Sequence, residues 1–367
     1  MTDVFVSRRT RLRACRAAHG TAAGAVLVTR PANIRYLTGI APASAALLLA
    51  ADGRDVLVTL PESVPPGVAG DLECEVLSTT EGDTAVAAAS LAVRTGSEDL
   101  AVEEHHLTVA RHRALAAAVP RLRLRDLRCA VEQLRLVKDE EEIAALRIAA
   151  EITDHALGEL LESILVGRTE RHLALELDRR LIDHGAEGPA LPTSVATGGH
   201  AGVPGHRPTD RRVEEGDFLC VRLGGGYRGY RCQIGRTFVI GAAPADWQIE
   251  LYDTVFAAQR AGREALLPGA EYREVDRAAR QVLQAAGYTE GVAPCTGHGV
   301  GLEISEDPRI FPGAMGKLDP CVPVTVEPGV HLPGRGGVRI DDTLVVRPQA
   351  DGGPELLTIT TKELLAL

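Results

Sequence analysis

Residues 326–346 read VEPGVHLPGRGGVRIDDTLVV, and two carboxylates in this stretch lie where strands would bury them. The apolar runs at 322–327 and 338–347 predict these strands. Glu327 ends the first one immediately before a Pro-Gly pair, and Asp341 interrupts the second, which is otherwise apolar. Because a buried carboxylate costs free energy unless it is paired or coordinated, we predict that both residues belong to a functional site.

The stretch 218–241, FLCVRLGGGYRGYRCQIGRTFVIG, predicts a β-hairpin with a glycine-rich turn. This pairing would set Arg222 and Gln233 across from each other on one face, which we expect to line a cleft. Arg222 is permanently protonated, so it would bring a fixed positive charge to any carboxylates that share the cleft.

Two glycine-containing loops supply further polar candidates, namely His298 and Glu306 at 296–310, and His200 and His206 at 197–211. His298 is interpreted either as a proton-transfer residue or as a neutral, hydrogen-bonded histidine. Glu306 is either a general acid/base or a residue that holds its loop. Loop histidines are commonly solvated, and of this pair His206 is retained as a candidate for substrate binding.

Helical patterns alternate with these strands. Asp139 is predicted to cap a helix whose apolar residues recur at helical spacing, and further helices are predicted from Thr169, around Asp246 and around Tyr272. Helices set among mostly hairpin-connected strands predict an α+β domain over residues 133–367, with an antiparallel sheet and helices on one side.

Residues 1–132 alternate short apolar runs with helical stretches, a pattern that predicts a smaller α/β domain. AGAVLVT, AALLLAADGRDVLVT and EDLAVEE are predicted to form strands, with a turn at Asp52-Gly53 inside the second segment. The segment after Ser7 and residues 114–124, ALAAAVPRLRL, are predicted to be helical.

Composition limits the classes of function. The chain of 367 residues is 45% apolar and 25% charged, which is typical of a globular protein with about two domains. A formal charge of −10 argues against nucleic acid and anionic membrane surfaces as partners. The seven cysteines contain no CxxC pair, and the sequence shows neither an apolar signal segment nor a long apolar span. We therefore expect a cytoplasmic protein.

The order and spacing of these segments resemble those of the creatinase/prolidase family, the M24 peptidases with the pita-bread fold. NIRYLTGI and LLLAADGRDVLVTLPE are similar to that family's N-terminal domain, and GYRCQIGRTFVIG, GHGVGLEISEDPRI and VEPGVHLPGRGGVRIDDTLVV to its signature segments. The resemblance covers nearly the whole chain. It implies a C-terminal pita-bread (creatinase/aminopeptidase) domain preceded by a smaller α/β domain, and it favours a homodimer.

The same resemblance implies an altered metal site. Peptidases of this family hold two metal ions with two Asp, one His and two Glu. His298 and Glu327 match these positions, whereas Arg222 and Gln233 fall on the two Asp and Asp341 falls on the second Glu.

Two substrate-binding histidines of the family are also replaced, because they fall on Gly205 and Ser305. A dication would be repelled by the Arg222 guanidinium, and a bidentate arginine between Glu327 and Asp341 would neutralise both carboxylates. We therefore expect no metal and no other cofactor. The candidate residues are His298, Glu327, Asp341 and Glu306 for catalysis, and Arg222, Gln233, His206 and Arg339 for substrate binding.

Three functions remain open at this point, each with a small-molecule or dipeptide-like ligand. The first is a metal-independent enzyme that hydrolyses a C–N bond of an amide or guanidino compound, for which creatinase is the family precedent. The catalytic histidine of creatinase, however, falls on Gly205. The second is a catalytically inert pseudopeptidase that acts as a binding or regulatory partner. The third is a mononuclear metallopeptidase that uses His298, Glu327 and Asp341.

Overall fold

The computed structural model divides the chain into two compact units, Met1–Arg135 and Leu136–Leu367. The boundary predicted after residue 132 lies close to this division. Within these units the structure describes residues 2–18, 24–61, 63–64, 74–80, 82–163 and 165–367. None of the helices in these ranges is long and apolar enough to cross a membrane.

A six-stranded sheet, ordered β4-β3-β2-β1-β5-β6, organises the first unit. Its strands are β1 (Ala25–Val28), β2 (Ala45–Leu49), β3 (Asp55–Thr59), β4 (Glu75–Ser78), β5 (Asp99–Val102) and β6 (Arg123–Asp126). The helices are α1 (Thr2–Ala18), α2 (Pro31–Thr38), α3 (Thr84–Arg94), α4 (Val109–Ala118) and α5 (Ala130–Leu136). The β2–β3 hairpin turns at Asp52-Gly53, as predicted, and Gly53 adopts a φ of 91° there.

The predicted helix at 114–124 is wrong in its second half. Helix α4 ends at Ala118, and β6 begins at Arg123. Pro120 explains the difference, because a proline disfavours helical backbone at the preceding residue and cannot donate to the helix itself.

The second unit contains small antiparallel sheets. The first has the order β11-β8-β7 and the second β13-β12-β14-β17-β18, and two short hairpins, β9–β10 and β15–β16, accompany them. The strands are β7 (Ser194–Thr197), β8 (Phe218–Leu223), β9 (Gly226–Tyr227), β10 (Tyr230–Arg231), β11 (Ile234–Val239), β12 (Gly297–Gly299), β13 (Glu306–Ile310), β14 (Pro323–Val326), β15 (Gly329–Leu332), β16 (Gly336–Arg339), β17 (Asp342–Val345) and β18 (Glu355–Leu356).

The α-helices described in this unit are α6 (Glu140–Leu161), α7 (Glu170–Asp183), α8 (Asp246–Glu264) and α9 (Tyr272–Ala285). The predicted start of α6 has a capping box, in which Asp139 accepts from the Glu142 backbone and the Glu142 side chain accepts from Asp139 N–H. Helix α7 is likewise capped by Thr169.

Helices contact both faces of the β11-β8-β7 sheet, whereas the sequence predicted helices on one side. Leu219 and Val221 join the core formed with α6 and α7. Phe218, on the other face, packs its ring edge-on against Trp247 of α8, with centroids 5.3 Å apart. Because successive residues of a strand point to opposite faces, Arg222 lies on the same face as Phe218, away from α6 and α7.

Candidate active site

The hairpin places Arg222 and Gln233 close together, but not directly opposite each other as predicted. Arg222 lies on β8 and pairs across the ladder with Gly235, while Gln233 immediately precedes β11. The ladder ends at the pair Leu223–Ile234, so Gln233 reaches Arg222 diagonally through its side chain.

Asp341 enters the site where the two main sheets meet. Its backbone exchanges two hydrogen bonds of 3.0 and 3.1 Å with Gly235 of β11. A Cβ atom at position 235 would lie 2.6 Å from Asp341 Cγ. Only glycine leaves room for the carboxylate at this junction.

Arg339 pairs most closely with both buried carboxylates. Its Nε lies 2.8 Å from each oxygen of Asp341, and its Nη2 lies 2.6 Å from Glu327 Oε2. Asp341 is 0% exposed and Glu327 6%. The Thr237 hydroxyl binds the N–H and the C=O of Arg339, each at 3.0 Å, and so fixes its backbone. The electrostatic attraction in these buried ion pairs is strong, because little water screens it.

Gln233 links the carboxylates to the second arginine. Its Nε2 donates to Glu327 Oε2 at 2.7 Å and to Asp341 Oδ2 at 2.9 Å. Its Oε1 accepts a hydrogen bond of 2.8 Å from Arg222 Nη2. The amide therefore directs both of its N–H donors at anions and its carbonyl oxygen at a cation.

Arg222 lies at the edge of this group and does not sit bidentate between the carboxylates as expected. Its Nε is 3.5 Å from Asp341 Oδ2, and its Nη2 is 3.8 Å from Glu327 Oε2. The reason is that Arg339 already fills the space between them. Within the described part of the chain, the buried Arg222 Nε has no hydrogen-bond partner, although a third of the side chain is exposed.

Burial and charge shift the two carboxyl groups in opposite directions. Burial alone would raise the pKa of Glu327, but the Arg339 guanidinium above all holds that pKa below its ordinary value. Burial raises the pKa of Asp341, and the neighbouring Glu327 carboxylate adds to this shift against the pull of Arg339. Burial also lowers the pKa of Arg222, helped by the charge of Arg339. A single proton on Asp341 would therefore leave the group with excess positive charge.

His298 lies beside this group on β12 and is 6% exposed. Its Nδ1 lies 3.1 Å from the Gly299 carbonyl oxygen, which can only accept, so the proton is on Nδ1. In the neutral ring, Nε2 then carries a lone pair, and this atom lies 3.6 Å from Glu327 Oε1. A histidine in this tautomer can accept a proton, and the adjacent carboxylate would stabilise the resulting cation.

Two other predicted residues make their ion pairs elsewhere. Glu306 Oε1 lies 2.6 Å from Lys138 Nζ, and both side chains are almost fully buried. This contact favours the interpretation that Glu306 holds its loop. His206 Nε2 lies 2.9 Å from Glu170 Oε2, in a group that the sequence analysis did not anticipate.

The cysteines near the site are poor nucleophiles. Burial raises the pKa of the Cys220 thiol to about 11 and that of Cys232 to about 12. Both remain protonated at neutral pH, and a thiol is far less nucleophilic than a thiolate.

Sequence reasoning missed two polar residues that support the site. Arg236 donates from Nη1 to the Asp341 carbonyl oxygen at 2.7 Å and from Nη2 to Asp342 Oδ1 at 2.7 Å. A charged residue inside each of two apolar strands was the available signal, since such charges are buried only as pairs.

Two family models match the chain. Residues 144–348 match Metallopeptidase family M24, and residues 8–137 match the Creatinase/Prolidase N-terminal domain. These matches confirm the resemblance and the fold class that the sequence predicted.

Known proteins agree with these models. The chain is 38% identical to an Xaa-Pro dipeptidase of Pyrococcus furiosus over 64% of this chain, and the match spans 66% of that protein's length. It is 32% identical to the uncharacterized peptidase YqhT of Bacillus subtilis over 93% of this chain and 95% of the relative.

The fold is also close to a solved one. An Xaa-Pro dipeptidase from Bacillus anthracis superimposes with a TM-score of 0.92 and 30% identity, over 99% of this chain and all of the other. The chain therefore belongs to metallopeptidase family M24, with the family's creatinase/prolidase N-terminal domain.

Proposed function

We propose that this protein is a metal-independent M24 hydrolase that cleaves a C–N bond in a small amide, guanidino or dipeptide-like compound. The observation that carries the proposal is the pairing of Arg339 with both Glu327 and Asp341, at 2.6–2.8 Å. A positively charged side chain thus engages the carboxylates that would otherwise bind metal.

The donor set fits a dinuclear metal centre poorly. Such a centre requires carboxylates that are free to bridge two dications, whereas Glu327 Oε2 and both Asp341 oxygens accept hydrogen bonds from Arg339 or Gln233. A guanidinium about 4 Å from a dication would be repelled by roughly 8 kcal/mol at an effective dielectric constant of 20. The proposed reaction therefore uses no metal ion.

Arg222 is suited to hold the ligand. Its Nε is buried and lacks a hydrogen-bond partner among the described residues, and its side chain is 33% exposed. An unsatisfied guanidinium N–H costs free energy that a ligand carboxylate or carbonyl would recover. We assign Arg222 to binding an anionic or strongly polar group of the ligand, with Gln233 fixing the guanidinium.

His298 is suited to act as the general base. In its tautomer Nε2 can take a proton from water or from the ligand, while Glu327 Oε1 stabilises the imidazolium. The water would then attack the carbon of the C–N bond, and the imidazolium would return the proton to the leaving nitrogen.

A second candidate function is a pseudopeptidase that binds the same class of ligand without turnover. Gly205 favours it, because a substrate histidine of the family falls on this position and glycine supplies no side chain. A homodimer is also proposed, on the family resemblance alone.

The test compares turnover with and without metal. After dialysis against EDTA, the protein is assayed on Xaa-Pro dipeptides and on a panel of small amides and guanidino compounds. We expect no stimulation by Mn²⁺ or Co²⁺, and a turnover that survives EDTA on at least one compound. His298→Gln should reduce it by about 10²–10⁴-fold, whereas His184→Gln, a histidine of this unit that pairs with Glu159, should not.

Metal-stimulated cleavage of Xaa-Pro dipeptides would overturn the proposal in favour of a metallopeptidase. Ligand binding without turnover on any compound would instead favour the pseudopeptidase.

A further inference from the structure

A second polar cluster lies outside the group described above and takes no part in the proposed chemistry. Glu170, the first residue of α7, is 0% exposed. His200 Nδ1 and His206 Nε2 approach its two oxygens, each at 2.9 Å. The donor atoms of these three residues all lie within 4.8 Å of one another. We call them the Glu170 cluster.

Glu170 has no lysine or arginine partner among the described residues. Its ion pairs in these ranges are with His200 and His206. The two imidazole rings lie 4.4 Å apart, centroid to centroid. Both rings thus face the same carboxylate, one at each oxygen.

Three protein donors already hold the Glu170 carboxylate in place. Thr197 N–H donates to Oε1 at 2.9 Å, and Thr209 donates to Oε2 from its N–H at 2.9 Å and from its hydroxyl at 2.7 Å. Burial by itself would raise the pKa of Glu170, but the hydrogen bonds from His206 and Thr209 hold it below its ordinary value. Hydrogen bonds of this kind orient the carboxylate that serves as a metal ligand in proteins.

We propose that Glu170, His200 and His206 bind one divalent transition-metal ion of the zinc class. Two imidazoles and one glutamate form a ligand set that zinc uses in proteins, with a water in the fourth position. Ligand atoms around tetrahedral zinc lie about 3.3 Å apart, so the two 2.9 Å contacts need to open only slightly. On binding, each ring proton that faces Glu170 moves to the other ring nitrogen or to solvent.

The Glu170 cluster is better suited to bind a metal ion than the group formed by Arg222, Arg339 and their two carboxylates. Its carboxylate faces imidazole rings instead of guanidinium groups, and the His200 side chain is 36% exposed, which gives an ion access from solvent. Binding requires unprotonated rings, so affinity should fall as the pH is lowered.

The position of the cluster suggests what the ion does. Ser194 of β7 lies opposite Arg222 in the sheet, and its hydroxyl donates to the His206 carbonyl oxygen at 3.2 Å. The turn Gly198–Gly202 packs beside β16, the strand that carries Arg339. An ion at the Glu170 cluster would hold this loop against α7. This inference is independent of the proposed function.

The experiment titrates tag-free, EDTA-dialysed full-length protein with Zn²⁺ by calorimetry, and with Co²⁺ by visible absorption. We expect one equivalent to bind and to raise Tm. His200→Gln and His206→Gln should each weaken binding by at least about 100-fold, since the loss of even an outer partner of a metal ligand costs 10–100-fold. His184→Gln is the matched control, because His184 also lies 2.9 Å from a single glutamate, Glu159. It should bind like the parent.

Glu327→Gln separates this site from the proposed active site. Binding that survives Glu327→Gln and is lost in both histidine variants supports the Glu170 cluster. Binding that is lost in Glu327→Gln and survives both histidine variants overturns it, and also overturns a metal-free active site. Absence of binding to the parent overturns the Glu170 cluster and leaves the proposed function intact.

Discussion

Asp341 and Asp342 are adjacent in sequence, are both 0% exposed and both pair with an arginine, but their surroundings differ. Successive residues of an extended strand point to opposite sides. Asp341 therefore faces Arg339 and the proposed active site, whereas Asp342 faces Arg236 and the interior.

Arg236 and Asp342, which we call the inner group, have all their hydrogen-bonding groups engaged. Arg236 is 0% exposed and donates to Asp342 and to four backbone carbonyl oxygens, those of Gly235, Asp341, Thr360 and Thr361. Asp342 also accepts from Gln259 at 2.6 Å and lies 3.1 Å from Lys362 Nζ. With every donor engaged, this group has nothing left to offer a ligand.

Arg222, Gln233, Glu327, Arg339 and Asp341, which we call the outer group, have an unused hydrogen-bond donor by comparison. Arg222 and Arg339 are 33% and 22% exposed in their side chains, and among the described residues Arg222 Nε lacks a hydrogen-bond partner. The difference teaches that a buried ion pair by itself does not mark a site. What marks it is a charged group with unused hydrogen-bonding capacity next to solvent. Replacing each arginine with methionine, which is similar in length and uncharged, tests this contrast.

The largest loss of stability is expected for Arg236→Met. It removes the arginine that pairs with Asp342 and leaves buried carbonyl oxygens without this hydrogen-bond donor. The free energy of unfolding should therefore fall by about 3–5 kcal/mol. Because Lys362 still faces Asp342, the loss should be similar at pH 5 and pH 8. Urea denaturation at both pH values measures it, and a variant as stable as the parent would contradict the role given to Arg236.

Arg339→Met should cost about 3 kcal/mol at pH 8 and less at pH 5. Without Arg339, the two carboxylates repel each other unless one binds a proton, so the pKa of Asp341, which burial already raises, rises further. Such a group stabilises the fold below the unfolded pKa and loses this contribution as pH rises through the folded pKa. An equal loss at both pH values would show that the carboxylates do not depend on Arg339.

Arg222→Asp combined with Gln233→Asp, made in an Arg339→Met background, should convert the outer group into a metal site, apart from the shortened Asp341. We expect Mn²⁺ or Zn²⁺ to stabilise this variant by about 2.7 kcal/mol at 100 times the dissociation constant. The measurement is Tm with and without metal, made in a His200→Gln background so that the Glu170 cluster does not contribute. A Tm that does not respond would mean that the arginines are not what excludes a metal.

The smallest effect on stability is expected for Arg222→Met, about 1 kcal/mol or less, because its ion pairs are long and partly exposed. Its effect on binding should be larger. A hydrogen bond to a charged ligand is worth about 1.5–3 kcal/mol, so affinity for a dipeptide such as Gly-Pro should fall by roughly 10–100-fold. Calorimetry checks this, and unchanged affinity would remove Arg222 from the ligand site.

The sequence by itself determined the fold class and the family, because glycine-anchored segments in a fixed order carry both. It also singled out Glu327 and Asp341, since a carboxylate inside an apolar strand must find a partner whatever the fold. The start of α6 at Asp139 followed from local capping chemistry alone.

Only the tertiary structure decided which cation the carboxylates receive. Arg222 was the sequence-based choice, yet β16 and β17 bring Arg339 within 2.8 Å of Asp341 while Arg222 stays at 3.5 Å. Glu170 was invisible for the same reason: at the start of a helix it resembles any other solvated glutamate, and the partners that bury it lie some thirty residues away in the chain. Local pattern fixes which residues need partners, but the packing of distant strands and loops fixes who those partners are.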